Sequence, residues 1–389
     1  MRRVKDKLKG RPFTLLLLGA VVLAVLKLAI ASAAVQSRPA AVEPLPDRIT
    51  DAEFWRIITS FSEPGGVFQD ENYVSNEVRY QQVIPSLKNS VKPGAIYIGV
   101  GPEQNFTYIA AFRPRVSFII DIRRQNTLEH LIYKAIFEQS ANRADFLSRL
   151  FSRAQPKSLN ERSDIADLVR GYSALPHDSV LFERNLLEVL DRLKKVHGFD
   201  LSSDDEKTIR KVYRVFSDAG LAIDYTYKQN GSGANATYAR LLTQTDGKGE
   251  NRSFLASEAN FQFVQDLQRR NLIIPIVGDF AGPKALRAIG QYARDHGTTV
   301  GVFYMSNVEQ YLFDAMVWKT FYSSVGILPT DSTSASIRTV APSTAQNCYP
   351  RTSLAAMLWA SLQSPIDKLV RAYRENLVQT NCDVVRMSQ

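Results

Sequence analysis

Short apolar runs ending in glycine or an acid alternate with helix-spaced stripes between residues 94 and 306. AIYIGVG (95–101) and VSFIIDI (116–122) are continuous apolar runs of strand length, and PEQNFTYIAAF between them has helical character. Asn126 then stands as an N-cap with Glu129 three residues on, and positions 128, 131, 132, 135 and 136 mark one helix face. LIIPIVG (272–278) and TTVGVFYMS (298–306) repeat the pattern. Gly282-Pro283 opens the helix between them, Leu286, Ile289, Tyr292 and Ala293 form its stripe, and Gly297 ends it. Strand, helix and strand in close succession give a parallel pair with a right-handed crossover.

Residues 142–270 have a different texture and read as a mostly helical insertion. One helix runs from about Ser179 to His197 and stops at Gly198; the next begins at Ser203 with Glu206 as its capping acid and stops at Gly220. LAIDYTYKQ (221–229) alternates in period two and is expected to pair with TYARLLTQ (237–244) as a hairpin across NGSGAN. A helix from about Ser257 to Arg270 leads back to the second unit. Residues 330–345 suggest a strand edge or loop, with helices from about 353 to 377. The class is therefore α/β, a mostly parallel sheet over residues 49–389 interrupted by the insertion.

The N-terminus adds an address. MRRVKDKLKGR precedes an apolar run that begins at Phe13, and LAIASAA follows Lys27. Basic start, apolar core and small-residue end are the parts of a secretory signal peptide. Phe13 to Ala34 is equally long enough to span a bilayer as an uncleaved anchor. Either way residues 1–34 target the cytoplasmic membrane, residues 35–48 form a proline-rich linker, and the domain faces the periplasm. The same segment explains most of the charge. The chain carries +9, but residues 1–34 hold seven basic residues against Asp6, which leaves +3 for the rest. No concentrated basic surface remains for nucleic acid. The two cysteines, Cys348 and Cys382, have no ligand spacing for zinc, and export favours a disulfide between them.

In an open parallel sheet ligands bind beyond the carboxyl ends of the strands. Those ends carry Gly99, Gly101 and Glu103; Asp121 and Arg123; Asp279; and Asn307 and Glu309. Glycines after one strand and an acid ending the next suit a nucleoside ligand, with Asp121 placed for ribose hydroxyls. Alternatively Gly99 and Gly101 only serve a tight turn and Asp121 pairs with Arg123. Asp279, Asn307 and Glu309 would face a substrate, an acid there serving as general base; Asn307 and Glu309 could instead start the next helix. Ser75-Asn76-Glu77 either folds over the crevice or caps a helix. No GxSxG elbow or GxxxxGK[ST] loop occurs, and His130 and His296 fit surface or capping positions. Asn105-Phe106-Thr107 and Asn235-Ala236-Thr237 match glycosylation sequons.

SEPGGVFQDENYVSNEVRYQQVIPSL (62–87), GAIYIGVGPEQNFTYIAAFRPRVSFIIDIRRQNTLEHLIYKAIFE (94–138) and GVFYMSNVEQYL (301–312) resemble an uncharacterised bacterial family. Its fold is similar to the Rossmann-like S-adenosylmethionine methyltransferases. The resemblance covers most of residues 50–320 and implies a methyltransferase-like fold, with Asp121 at the position of the ribose-binding acid. GVGPEQ departs from the acid-x-G-x-G-x-G pattern of true methyltransferases. An S-adenosylmethionine-like cofactor is thus implied by the fold and disfavoured by export. Two functions follow: a methyltransferase-like group transferase, or a non-catalytic binding or scaffold protein of the envelope.

Overall fold

The computed structural model describes residues 43–227, 235–348 and 360–388. Four apolar runs form strands as their composition requires: β1 (Ile96–Val100), β2 (Val116–Asp121), β3 (Ile273–Val277) and β4 (Val300–Tyr304). They are buried almost throughout, as parallel strands covered on both faces must be. β5 (Ala335–Val340) and β6 (Ala360–Pro365) complete one six-stranded sheet in the order β3-β2-β1-β4-β5-β6. All neighbours are parallel except β5 and β6. The order reverses between β1 and β4, so the switch point lies at their carboxyl ends. This is a mixed α/β arrangement built on a mostly parallel six-stranded sheet.

Before the sheet come helix α1 (Asp51–Phe61), capped by the Thr50 side chain, and the short α2 (Ile84–Leu87). After β1 comes α3 (Gln104–Phe112), and after β2 comes α4 (Arg124–Gln139). Helix α4 is buried nearly all round because helices of the intervening segment cover the face that the sheet does not. Those helices are α5 (Arg143–Phe151), α6 (Ile165–Ser173), α7 (Ser179–Asp191), α8 (Ser203–Ala219), α9 (Tyr238–Thr243) and α10 (Glu258–Arg269). Phe106, Tyr133, Phe137, Phe146, Phe254 and Phe261 pack edge-on and stacked between the two layers, Phe137 and Phe146 at 4.5 Å. α7 continues as a π-helical turn over Arg192–Val196, and Gly198 then takes φ +68°. That turn closes a buried ion network. Glu138 receives Lys134 Nζ (2.7 Å), Arg192 Nε (2.8 Å) and His197 Nε2 (2.7 Å). Against the upward push of burial, these partners, His197 first, hold its carboxyl at about 2.

Beyond β3 lie α11 (Ala285–Asp295), and after β4 α12 (Val308–Asp314) and α13 (Trp318–Val325). The chain closes with α14 (Pro342–Cys348), α15 (Ile366–Arg374) and α16 (Asn381–Arg386). A Cys348–Cys382 disulfide ties α14 to α16. Among the described residues no helix is long and apolar enough to cross a membrane. The segment expected to do so, residues 1–34, lies outside them, as does most of the linker.

Several sequence expectations fail for identifiable reasons. Among the described residues of 221–244 no hairpin forms: Thr237 caps α9, and Tyr238, Leu241 and Leu242 are buried at helical spacing. The period-two stretch instead starts with a 3-10 turn (Gly220–Ala222) and runs irregularly, with Tyr225 reaching the crevice described below; residues 228–234 lie outside the described chain. Residues 360–365 are a strand, not part of a helix, because β6 pairs residue for residue with β5. β5 is consequently interior and not an edge. α4 begins at Arg124, so Asn126 and Glu129 are buried inside the helix and not at its cap. The capping box of α8 is Ser202 with Asp205, one residue before the expected pair. α11 starts at Ala285 rather than at Pro283, because Glu63 from the far side of the chain supplies its cap.

Candidate ligand crevice

Four strand ends build the crevice. After β1 the chain turns through Gly101 at φ +76°, a conformation that suits glycine, and an added Cβ there would meet only Asn72 Nδ2 at 3.7 Å. Asn105, fully buried in the first turn of α3, holds the turn from behind. Its Nδ2 donates to the carbonyls of Val100 (2.9 Å), Gly101 (3.2 Å) and Pro102 (2.7 Å), and its Oδ1 accepts from Tyr97 Oη (2.8 Å). His130 Nε2 donates to Gly101 O at 2.9 Å. Burial pulls the imidazole of His130 down to about 4, so it is neutral at pH 7 and carries its proton on the nitrogen facing that carbonyl.

At the end of β2, Asp121 is sealed by its neighbour. Arg123 donates its backbone N–H (2.9 Å), Nε (3.0 Å) and Nη2 (2.8 Å) to the Asp121 carboxylate, and its guanidinium also reaches Glu71 O. At the end of β3, Glu63 accepts from the N–H groups of Asp279 (3.1 Å), Lys284 (2.7 Å) and Ala285 (2.8 Å). This carboxylate at a helix start fixes the Gly278–Lys284 turn. Asp279 Oδ1 accepts from Ala281 N at 2.8 Å, while the residue stays half-buried on the crevice wall. At the end of β4, Ser306 takes φ +53° and Asn307 begins α12.

The segment Phe68–Glu77 folds across these ends and closes a cavity of about 440 Å³. Aromatic side chains line it: Phe68, Tyr225, Phe280, Tyr304 and Tyr311, with Phe68 edge-on to Tyr311 at 5.4 Å. Glu77 lies on its inner wall, 3% exposed. The Glu77 carboxylate accepts from Gln104 Nε2 (2.8 Å), Thr339 Oγ1 (2.6 Å) and Ser306 Oγ. Size, apolar walls and a few convergent polar groups are the usual properties of a small-molecule site.

Behind the floor lies a second group. Glu103 and Glu129 are 3% and 1% exposed. Among the described residues neither oxygen of Glu129 has a hydrogen-bond partner, nor does Glu103 Oε2, while Glu103 Oε1 accepts from Ser75 N at 3.4 Å. Burial raises the Glu103 carboxyl to about 8; its own and the Ser75 amide oppose the rise, and Glu77 adds to it. Burial, reinforced by Glu103, raises Glu129 well above the ordinary carboxyl range. Glu103 is therefore mostly protonated at neutral pH, and Glu129 is pushed in the same direction.

Residues 72–378 match the family described as a domain of unknown function, DUF7790. The chain belongs to the DUF7790 family. No curated protein matches it. The family match spans nearly the whole crevice of this DUF7790 domain, from Asn72 to Val317, and leaves out only Phe68 and Asp70 of the lining.

The structure sorts the residues singled out from sequence. Gly101, Asp121, Arg123, Asp279 and Asn307 line the crevice. Gly99 does not. It lets α3 approach β1, since an added Cβ would overlap the Asn105 side chain. Glu103 lies behind the floor. Glu309 is outside as well, bonded to Arg338 Nε (2.6 Å) and Tyr322 Oη. Ser75, Asn76 and Glu77 all line the cavity, and no helix starts there. His130 is a core residue and not a surface one. Asn105 is buried and fully bonded, which leaves its sequon unreachable by a glycan. Sequence reasoning missed Tyr225, Tyr304, Tyr311 and Asp70. Only Tyr225, in an alternating stretch between turns, carried any local signal.

Proposed function

We propose that this DUF7790 chain is an extracytoplasmic small-molecule-binding protein whose ligand occupies the crevice at the switch point of the sheet. The observation that carries the reading is the 440 Å³ aromatic-walled cavity at four strand ends. A nucleoside-type ligand fits the flat walls. The resemblance to methyltransferase-like folds and the Rossmann-like sheet support a group transferase as the catalytic form of this reading. In that form Asp279, whose carboxylate takes only a turn hydrogen bond, would orient or deprotonate the acceptor beside Asn307. Ribose recognition by Asp121 would first require displacing Arg123.

That sealed ion pair favours the second reading, binding without chemistry, since the acid best placed for a cofactor is already satisfied. For location, the basic-apolar leader and the pairing of both cysteines support a domain outside the cytoplasm, tethered or released. An enzymatic tag at residue 389 that works only outside the cytoplasm should be active; inactivity would overturn that placement. The ligand reading is tested by thermal shift of the full chain with S-adenosylmethionine, adenosine and indole compounds at millimolar concentration. At least one should raise the melting temperature, and Ala315→Trp, which places a large ring at the lining, should abolish the shift. No shift with any of them, or shifts indifferent to Ala315→Trp, would overturn it.

A further inference from the structure

Glu77 is a buried acidic side chain with no basic partner among the described residues. Its partners, Gln104, Thr339, Ser306 and the Tyr304 hydroxyl, are neutral, and among the described residues it forms no ion pair. The guanidinium nearest to the crevice, that of Arg123, is committed to Asp121. Asp70 and Asp279 also line the cavity, so with Glu77 and the paired Asp121 four acidic residues line it, and among the described residues Arg123 is the single basic one. A carboxylate taken out of water is tolerated when it is paired, and hydrogen bonds alone leave its charge uncompensated. The walls that complete the cavity are the faces and edges of tyrosine and phenylalanine, surfaces that attract cations.

Resting on the ligand-binding reading above, we infer that the crevice takes an organic cation: a ring-bearing amine whose ammonium group lies against Glu77 and Tyr304 while its ring stacks among Phe68, Tyr225 and Tyr311. The amine would complete the ion pair that Glu77 lacks, and the neutral donors around it would hold the carboxylate in place for it. An anionic ligand would meet three acids that no cation neutralises, Asp70, Glu77 and Asp279, and be rejected, which makes charge sign the main determinant of specificity.

The test compares three indole compounds of one shape: tryptamine, its neutral twin tryptophol and the anionic indole-3-acetate, each titrated into the full chain by calorimetry. Tryptamine should bind, tryptophol about 30-fold more weakly and indole-3-acetate not at all, the ratio expected when a buried charge contact is lost. Glu77→Gln, which keeps the shape, should bring tryptamine down to the level of tryptophol. Equal binding of tryptamine and tryptophol to the wild-type chain would overturn the inference even if the variant failed to fold. So would unchanged tryptamine affinity in folded Glu77→Gln. If tryptophol or indole-3-acetate binds and tryptamine does not, the crevice is a ligand site and the cation assignment is wrong. If none of the three binds, the cation assignment falls, and the ligand reading is then decided by the wider thermal-shift panel.

Discussion

Replacing Glu103 with glutamine should flatten the dependence of stability on pH between about 6.5 and 8. The unfolded carboxyl has its ordinary value of 4.5 and the folded one about 8. Through that interval the unfolded chain has released the proton and the folded chain has not. The folded state binds more protons, so its stability falls as pH rises, and the loss is complete above the folded value. His130 acts in the opposite sense, because its folded value of about 4 lies below its ordinary 6.5. Its contribution is lost as pH falls through that range and is constant above about 6.5. The interval from 6.5 to 8 therefore isolates the raised carboxyls. At about 1.4 kcal/mol per pH unit, Glu103 alone accounts for a fall of about 2 kcal/mol there. Glu129 is raised in the same direction, by burial first and by Glu103 next. Urea melts of the wild type, Glu103→Gln and Glu129→Gln across this range measure it. The wild type should lose stability most steeply and each variant should recover part of the loss. Parallel slopes in all three, or a wild type that gains stability toward pH 8, would refute the account of raised carboxyls behind the crevice.

Other consequences are more local. Arg338→Met should destabilise the chain by about 3–5 kcal/mol in denaturant melts, because Glu309 would remain buried without its cation; the double change with Glu309→Leu should recover much of that. Asn105→Ala should cost about 2–3 kcal/mol, since it removes the side chain that satisfies three turn carbonyls and the Tyr97 hydroxyl. Under reducing conditions the loop closed by Cys348 and Cys382, 34 residues apart, should cost about 3–4 kcal/mol of stability. Limited proteolysis should then cut first near α14 and α16.

The parts of this fold legible in the sequence are those whose burial is uniform. β1 to β4 are read from apolar runs because both faces are covered, and the strand-end rule then locates most of the crevice lining without any structure. β5 and β6 are not readable in that way. Arg338, Ser336 and Thr339 make β5 look polar, and their partners Glu309, Ser364 and Glu77 lie 29, 28 and 262 residues away. The start of α11 fails for the same reason, its cap being Glu63. Glu129 illustrates the opposite error: an acid three residues after an asparagine is a capping signal, and here it is an acid buried in the core. At Asp121 the sequence offered two partners, a ribose or Arg123, and side-chain geometry selects the arginine two residues on. Glu77 was marked only as part of a polar segment. Its lack of a counter-ion becomes visible only when every charged side chain around it has been placed.

The central claim is that the switch-point crevice is a binding site for a ring-bearing cation, and a crystal structure of the full chain grown with tryptamine tests it most directly. The account expects the indole among Phe68, Tyr225 and Tyr311 with its ammonium at hydrogen-bonding distance from Glu77. Ligand density elsewhere on the domain, or a crevice left to water while tryptamine binds at its surface, would contradict it.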